Sequence, residues 1–127
     1  MITRDAVDLD RRFEDALNAR DLDALMALYE PLAALMPMPG KTVVGTAAIR
    51  EALAGFVAAN PTIRTSGRLV AQTGDIALLA NDWILALTGP DGKPATMSGH
   101  AVEIARRQAD GGWLFVMDMP FGTAAAA

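Results

Sequence analysis

Apolar positions along the chain follow two different periods. In the second half, three long apolar runs, Ile76 to Thr88, Thr96 to Arg107 and Trp113 to Met119, are separated by Gly89-Pro90-Asp91-Gly92 and by Ala109-Asp110-Gly111-Gly112. Proline presets the first angle of a turn and glycine supplies the positive one, so each cluster predicts a reversal between antiparallel strands. A weaker alternation over Ile63 to Ala71 predicts a fourth strand, placed at a sheet edge by Gly67 and its two arginines, with a turn at Gln72-Thr73-Gly74-Asp75. In the first half the spacing is helical. Leu9, Phe13, Ala16 and Leu17 recur among Asp and Arg residues over Thr3 to Ala19, with Phe13 and Leu17 inward. Leu22, Leu25, Met26 and Tyr29 share one face of a second helix, Leu22 to Tyr29, which Asp21 can cap and Pro31 ends. Ile49, Leu53, Phe56 and Val57 form the stripe of a third helix, capped by Thr46 and ending near Asn60 before Pro61. Between the last two, Ala33 to Met38 and Lys41 to Val44 read as a small hairpin through Pro39-Gly40.

Three helices, a hairpin and four antiparallel strands make an α+β order, with the helices gathered on one face of a curved sheet. Long strands twist and curl, so the predicted shape is a cone-shaped barrel whose concave side is roofed by the helices over a mostly apolar pocket. Side chains alternate along a strand, which puts Trp113, Phe115, Met117 and Met119 on one face of the last strand and Leu114, Val116 and Asp118 on the other. Both faces are largely apolar. A second copy of the chain is the expected cover for the outer one, giving a homodimer through that sheet face.

The chain has 127 residues, enough for a single domain with its own core, and 52% of them are hydrophobic against 20% charged, which excludes disorder. A net charge of −4, with only Arg11-Arg12 and Arg106-Arg107 adjacent, argues against nucleic acid. The absence of cysteine excludes disulfides and thiolate chemistry and fits a cytoplasmic location. Charge begins within the first five residues, and no apolar run approaches the roughly 18 residues a membrane span needs, so neither a signal segment nor a membrane partner is expected. Ala124 to Ala127 is expected to fray.

Particular stretches carry a family likeness. Ala16-Leu17-Asn18-Ala19-Arg20-Asp21-Leu22-Asp23, Leu28-Tyr29 and Val44-Gly45-Thr46-Ala47-Ala48-Ile49-Arg50-Glu51 resemble the ketosteroid isomerase and SnoaL-like group of the nuclear transport factor 2-like superfamily. The ending, with Ser98-Gly99-His100, Glu103, Arg106-Arg107, Asp110-Gly111, Trp113 and Asp118-Met119-Pro120-Phe121-Gly122, is similar to the YybH-type branch of that group. The resemblance implies a cone-shaped α+β domain, usually dimeric, with a deep pocket. It also implies that isomerase chemistry is absent. The tyrosine, the aspartate base and the protonated aspartic acid of the isomerases, a worked case of a carboxylic acid kept neutral by its surroundings, fall on Phe13, Pro37 and Gly99, none of which can exchange a proton.

The remaining candidates for chemistry are Asp82, Glu103 and His100. Asp82 and Glu103 each interrupt a long apolar run, where a lone carboxylate is costly. In an isomerase-like register both face the pocket, as an acid and base pair or as holders of a polar ligand group; the alternative is a structural pairing with an arginine. His100, the only histidine, is either an acid or base or a hydrogen-bonded structural residue. Asp118 is assigned a structural role near the dimer face or the chain end. A lone histidine without cysteine gives no metal site, and no cofactor motif is present. The expected ligand lining is Phe13, Leu17, Tyr29, Met36, Asp82, Trp83, Glu103, Phe115, Met117 and Met119, soft and aromatic side chains suited to a small hydrophobic molecule or to an ordinary core. Three functions follow: a pocket protein binding a hydrophobic ligand; a cofactor-free isomerase, cyclase or lyase on a hydrophobic carbonyl compound; or a dimeric interaction module with a filled pocket.

Overall fold

The computed structural model describes residues 2–124, so most of the tail expected to fray lies outside the described residues. In chain order the elements are α1 (Asp8–Asn18), α2 (Leu22–Met26), β1 (Tyr29–Met38), β2 (Lys41–Val44), α3 (Thr46–Ala58), β3 (Thr62–Thr73), β4 (Ile76–Thr88), β5 (Pro94–Arg107) and β6 (Trp113–Met119). The three strands of the meander match the expected runs, because the glycine turns that bound them are local signals that no distant contact has to supply. Gly92 and Gly111 take φ of 78° and 84° in those turns.

All six strands form one curved sheet in the order β2-β1-β6-β5-β4-β3. The cone is open along one side: β2 and β3 are the two edges of an unclosed sheet. β3 is an edge strand as its composition suggested, and α1 satisfies part of that edge. Asn18 accepts from the Ile63 N–H at 2.7 Å and donates to the Ile63 carbonyl at 3.0 Å, while Glu14 accepts from the Thr65 N–H at 2.6 Å. α1 packs on β3 and β6, and α3 on β1 and β2, with α2 between the two helices. The core between these layers centres on Leu9, Leu17, Leu25, Ile49, Leu53, Leu79, Trp113 and Phe115.

Four departures from the expected pattern matter for the site. The first helix starts at Asp8 because the residues before it run along β6, where the Thr3 carbonyl accepts from the Trp113 N–H at 2.8 Å. The second helix stops at Met26, and Tyr29 opens a strand that pairs in parallel with β6, opposite Phe115. Pairing with a partner almost ninety residues away overrides the helical spacing, and Pro31 sits inside this strand where its register slips between Tyr29 and Ala34. Thr46 does not cap α3. Gly45 holds that position at φ 92°, and the Thr46 hydroxyl donates to the Pro31 carbonyl at 3.3 Å.

The fourth departure lies in the last strand. Met117 pairs with Ile104 and Phe115 with Ala105, so Val116 is an extra residue, a β-bulge. A bulge reverses the alternation beyond it. Trp113 and Phe115 face the core, but Asp118 rather than Met117 or Met119 is the next buried side chain. The expected face assignment of Met117, Met119 and Asp118 is therefore inverted.

Candidate functional site

Between the helices and the concave face of the sheet lies a cavity of about 70 Å³. A single water needs roughly 10–15 Å³ measured in this way, so the cavity has room for several waters or a compact organic group. Its walls are apolar: Phe13 and Leu17 from α1, Leu35 and Pro37 from β1, Leu53 and Phe56 from α3, Ile63 from β3, Trp83 and Leu85 from β4, Met97 and Ala101 from β5, and Phe121 after β6. Phe13, Pro37, Phe56, Met97 and Phe121 are half-buried and form the rim, whereas Leu17, Leu53 and Ala101 are deep. The polar side chains that line it are Asn81, Glu103 and Asp118, all buried. Among the described residues that line it, none is Lys, Arg or His.

One wall is fixed by a close backbone approach. Trp83 donates its indole Nε1–H to the Pro120 carbonyl at 2.7 Å and meets Phe121 edge-on at 5.5 Å. The indole lies over Gly99, where an added Cβ would stand 2.7 Å from Trp83 Cζ2 and 2.9 Å from the Pro120 oxygen. Only glycine leaves room for the ring.

The floor is a cluster of acids. Glu103 on β5 is the direct cross-strand partner of Asp118 on β6, and side chains so placed stand about 5 Å apart at Cβ. Asp10 reaches them from α1 across Gly67, where any Cβ would come within 2.5 Å of Asp10 Oδ2. Asp118 accepts from the Tyr29 hydroxyl at 2.5 Å. Asn81 uses its Oδ1 to accept from the Ser66 N–H at 3.1 Å, which turns its amide nitrogen toward Asp10 and Glu103. Neither Asp10 oxygen has a well-aligned donor, nor has Glu103 Oε1.

Three carboxyls in an apolar setting cannot all ionise, because burial penalises each charge and each charge penalises the next. Burial holds Glu103 well above the usual carboxylate range, helped by its hydrogen bond to Asp10 and by the charges of Asp118 and Asp10. Glu103 is thus the protonated member, with Asp10 as its acidic neighbour. Asp10 is pushed up to about 6 by burial, against the opposing hydrogen bonds from Glu103 and Asn81. Asp118 is pushed up to about 7 by burial, with the Tyr29 hydrogen bond opposing and the charge of Asp10 adding. Burial raises Tyr29 as well, and the adjacent Asp118 charge adds to it, so its hydroxyl stays protonated and donates. The floor therefore combines a neutral acid with a carboxyl that changes state near neutral pH, which is the raw material of proton transfer.

The structure divides the expected site residues. Phe13, Leu17, Trp83 and Glu103 line the cavity. Tyr29 and Phe115 are buried beneath the floor with ring centres 5.3 Å apart, and Tyr29 acts through Asp118 instead of forming a wall. Met36 is buried but is not on the wall. Met117 is exposed and Met119 half-buried, both carried off the cavity by the Val116 bulge. Asp82 and His100 are corrected as well. They are cross-strand partners on the outer face, joined at 2.6 Å, with side chains 57% and 90% exposed. His100 lowers the Asp82 pKa chiefly by its hydrogen bond, and the charge of Arg68 adds to it.

Asp10, Asn81 and Asp118 are floor residues that the sequence reading did not place there. Asp10 was legible: it is four residues after Ala6 and three before Phe13, on the buried stripe of α1. Asn81 shares the parity of Ala77, Leu79, Trp83 and Leu85, all buried, whereas Asp82 has the opposite parity. Asp118 was not legible, since nothing in Trp113 to Met119 announces a bulge.

With this geometry in place, comparison with known proteins gives a consistent answer. The sequence matches the SnoaL-like domain family over residues 11–116, and the chain belongs to that family. A nuclear transport factor 2-like superfamily protein from Salmonella enterica has the same fold, with a TM-score of 0.79 at 16% identity over 95% of this chain and 90% of the other. A ketosteroid isomerase-like protein from Erwinia carotovora gives 0.77 at 18% over 90% and 91%. A conserved protein from Planctomyces limnophilus gives 0.73 at 20%, over 89% of each chain. A search of curated proteins finds no match. At these identities the likeness is one of fold, and a shared fold leaves function to be argued from the site.

Proposed function

We propose that this chain is a small-molecule pocket protein that takes a compact hydrophobic ligand end-on, with one polar group of the ligand set against Glu103 and Asp118. The observation that carries the reading is the pairing of an apolar wall with an acid floor that no basic lining residue neutralises. A purely structural core at this position would gain stability from hydrophobic replacements, since buried charge without a partner is destabilising. The cavity favours this reading over an interaction module with a filled interior. The likeness of the chain's ending to the YybH-type branch fits the same reading, and so does the lack of a proton-transfer group at the isomerase positions Phe13, Pro37 and Gly99.

A specific observation supports an enzymatic version. Glu103 is a proton donor and Asp118 an acceptor near neutral pH on adjacent strands, the arrangement that an isomerase, cyclase or lyase acting on a hydrophobic carbonyl compound would use. Glu103 shares β5 with the isomerase position at Gly99, whereas Asp118 lies on β6, the strand that pairs with the β1 strand carrying Pro37.

The pocket itself is tested by titrating the protein with benzyl alcohol and following the Trp83 indole N–H by NMR. Saturable shifts at that resonance are expected, and Met97→Trp, which closes the rim, should abolish them while leaving the fold intact. Shifts that persist unchanged in Met97→Trp would place the ligand elsewhere.

A further inference from the structure

The floor has an electrostatic debt that no lining residue meets. Asp10, Glu103 and Asp118 come together from α1, β5 and β6, and all three are at most 4% exposed. Tyr29 from β1 and Asn81 from β4 are the other polar groups facing them, and both are neutral donors. Tyr29 serves Asp118 alone. Glu103 Oε1 is buried without a hydrogen-bond partner in a residue that lines the cavity. The missing element is a positive charge carrying N–H donors, and the cavity is where it can be delivered.

We infer that the ligand class is a compact hydrophobic organic amine in its protonated form, with the ammonium seated on Glu103 and Asp118 and the apolar part held among Phe13, Phe56, Trp83 and Phe121. This rests on the pocket reading above and names the polar group that reading left open. An ammonium offers up to three N–H donors and no acceptor, which suits the open Oε1 of Glu103 and the carboxyl of Asp118. Hydrogen bonds from a charged donor to a carboxylate are about twice as strong as neutral ones. The aromatic walls add to it, since a cation is attracted to the faces of Trp and Phe. A carbonyl ligand brings one more acceptor and leaves the negative charge unanswered, and a carboxylate ligand adds to it. A metal ion is a poorer answer: among the described residues, no three His, Asp or Glu side chains are placed to share one.

Charge matching also gives the reading a pH signature. Asp10, Asp118 and Glu103 are the titratable acids of the floor, with Tyr29 protonated throughout. As Asp10 and Asp118 lose their protons the floor becomes more negative, so an amine binds more tightly as pH rises, whereas a neutral isostere has no such dependence.

The test is calorimetric titration of the full chain with benzylamine and, separately, benzyl alcohol, which share shape and differ in charge. Benzylamine is expected to bind tenfold or more tightly than the alcohol, a difference of about 1.4 kcal/mol or greater. Its affinity should rise between about pH 5 and 8, in step with ionisation of the floor. Asp118→Asn, which removes a floor charge, should reduce the preference for the amine. The wild-type comparison does not need that variant to fold. Equal or tighter binding of the alcohol, or an amine affinity flat with pH, would overturn the amine assignment while an alcohol site blocked by Met97→Trp kept the pocket. Failure of both probes to bind would overturn the two readings together.

Discussion

Three buried acids that retain protons in the folded chain make its stability depend on pH. Asp10 at about 6, Asp118 at about 7 and Glu103, which burial also raises well, all have folded pKa values above the usual carboxylate range near 4. The native state therefore binds more protons than the unfolded state between those values, and stability falls as pH rises through that window. Their contribution is fully present below about pH 4 and is lost progressively as pH climbs toward 7, opposite in sign to an ordinary salt-bridged carboxylate. Urea midpoints measured across that range should rise on acidification until other groups dominate, and Glu103→Gln should flatten the profile. Tyr29→Phe removes the hydroxyl that donates to Asp118 and should destabilise by about 1–3 kcal/mol at neutral pH, less in acid where Asp118 is protonated. A midpoint insensitive to pH in the wild type would refute this account of the floor.

Individual elements place these residues, and two of them do so by breaking a regular pattern. The Val116 bulge turns Asp118 inward, so deleting Val116 should restore simple alternation, send Asp118 outward and Met117 inward, and remove the amine preference even if the chain folds. NMR of Asp118 across pH would check it, the expected result being an ordinary carboxylate titration. Gly99→Ala forces the indole of Trp83 or the Pro120 carbonyl to move, and a cost of about 1–3 kcal/mol is expected from overpacking. The same two features mark where sequence reasoning stopped. Turns at Gly92 and Gly111, the stripe through Leu9, Phe13 and Leu17, and the edge character of β3 were readable because each depends on neighbours a few residues away. The strand at Tyr29 and the inward turn of Asp118 depend on pairing between β1 and β6, which local periodicity does not encode. Asp82 was assigned to the pocket through a likeness to the isomerases, although its own parity, shared with the exposed Ile84, pointed outward.

At the scale of the whole molecule, the outer sheet face remains to be accounted for. Ile84 is 56% exposed and Met117 36%, with Leu78, Val102, Ile104 and Met119 half-buried around them. We propose that a second copy of the chain covers this face, with the Asp82 and His100 pair at its margin. Sedimentation velocity should report a dimer, and Met117→Glu with Ile84→Glu should yield a monomer whose benzylamine binding survives. A wild-type monomer at tens of micromolar would exclude this role for the face.

The hydrogen bond between Tyr29 and Asp118 joins residues 89 positions apart, on the first strand and the last. A ribosome presenting everything up to Arg107 has already supplied Asp10, Glu103 and every helix, yet the cavity has no bottom until β6 slides between β1 and β5. Closing so long a loop is slow relative to the zipping of neighbouring hairpins. The nascent chain thus acquires its binding capacity in one late step, and C-terminal truncation by a dozen residues should erase function before it erases helix content.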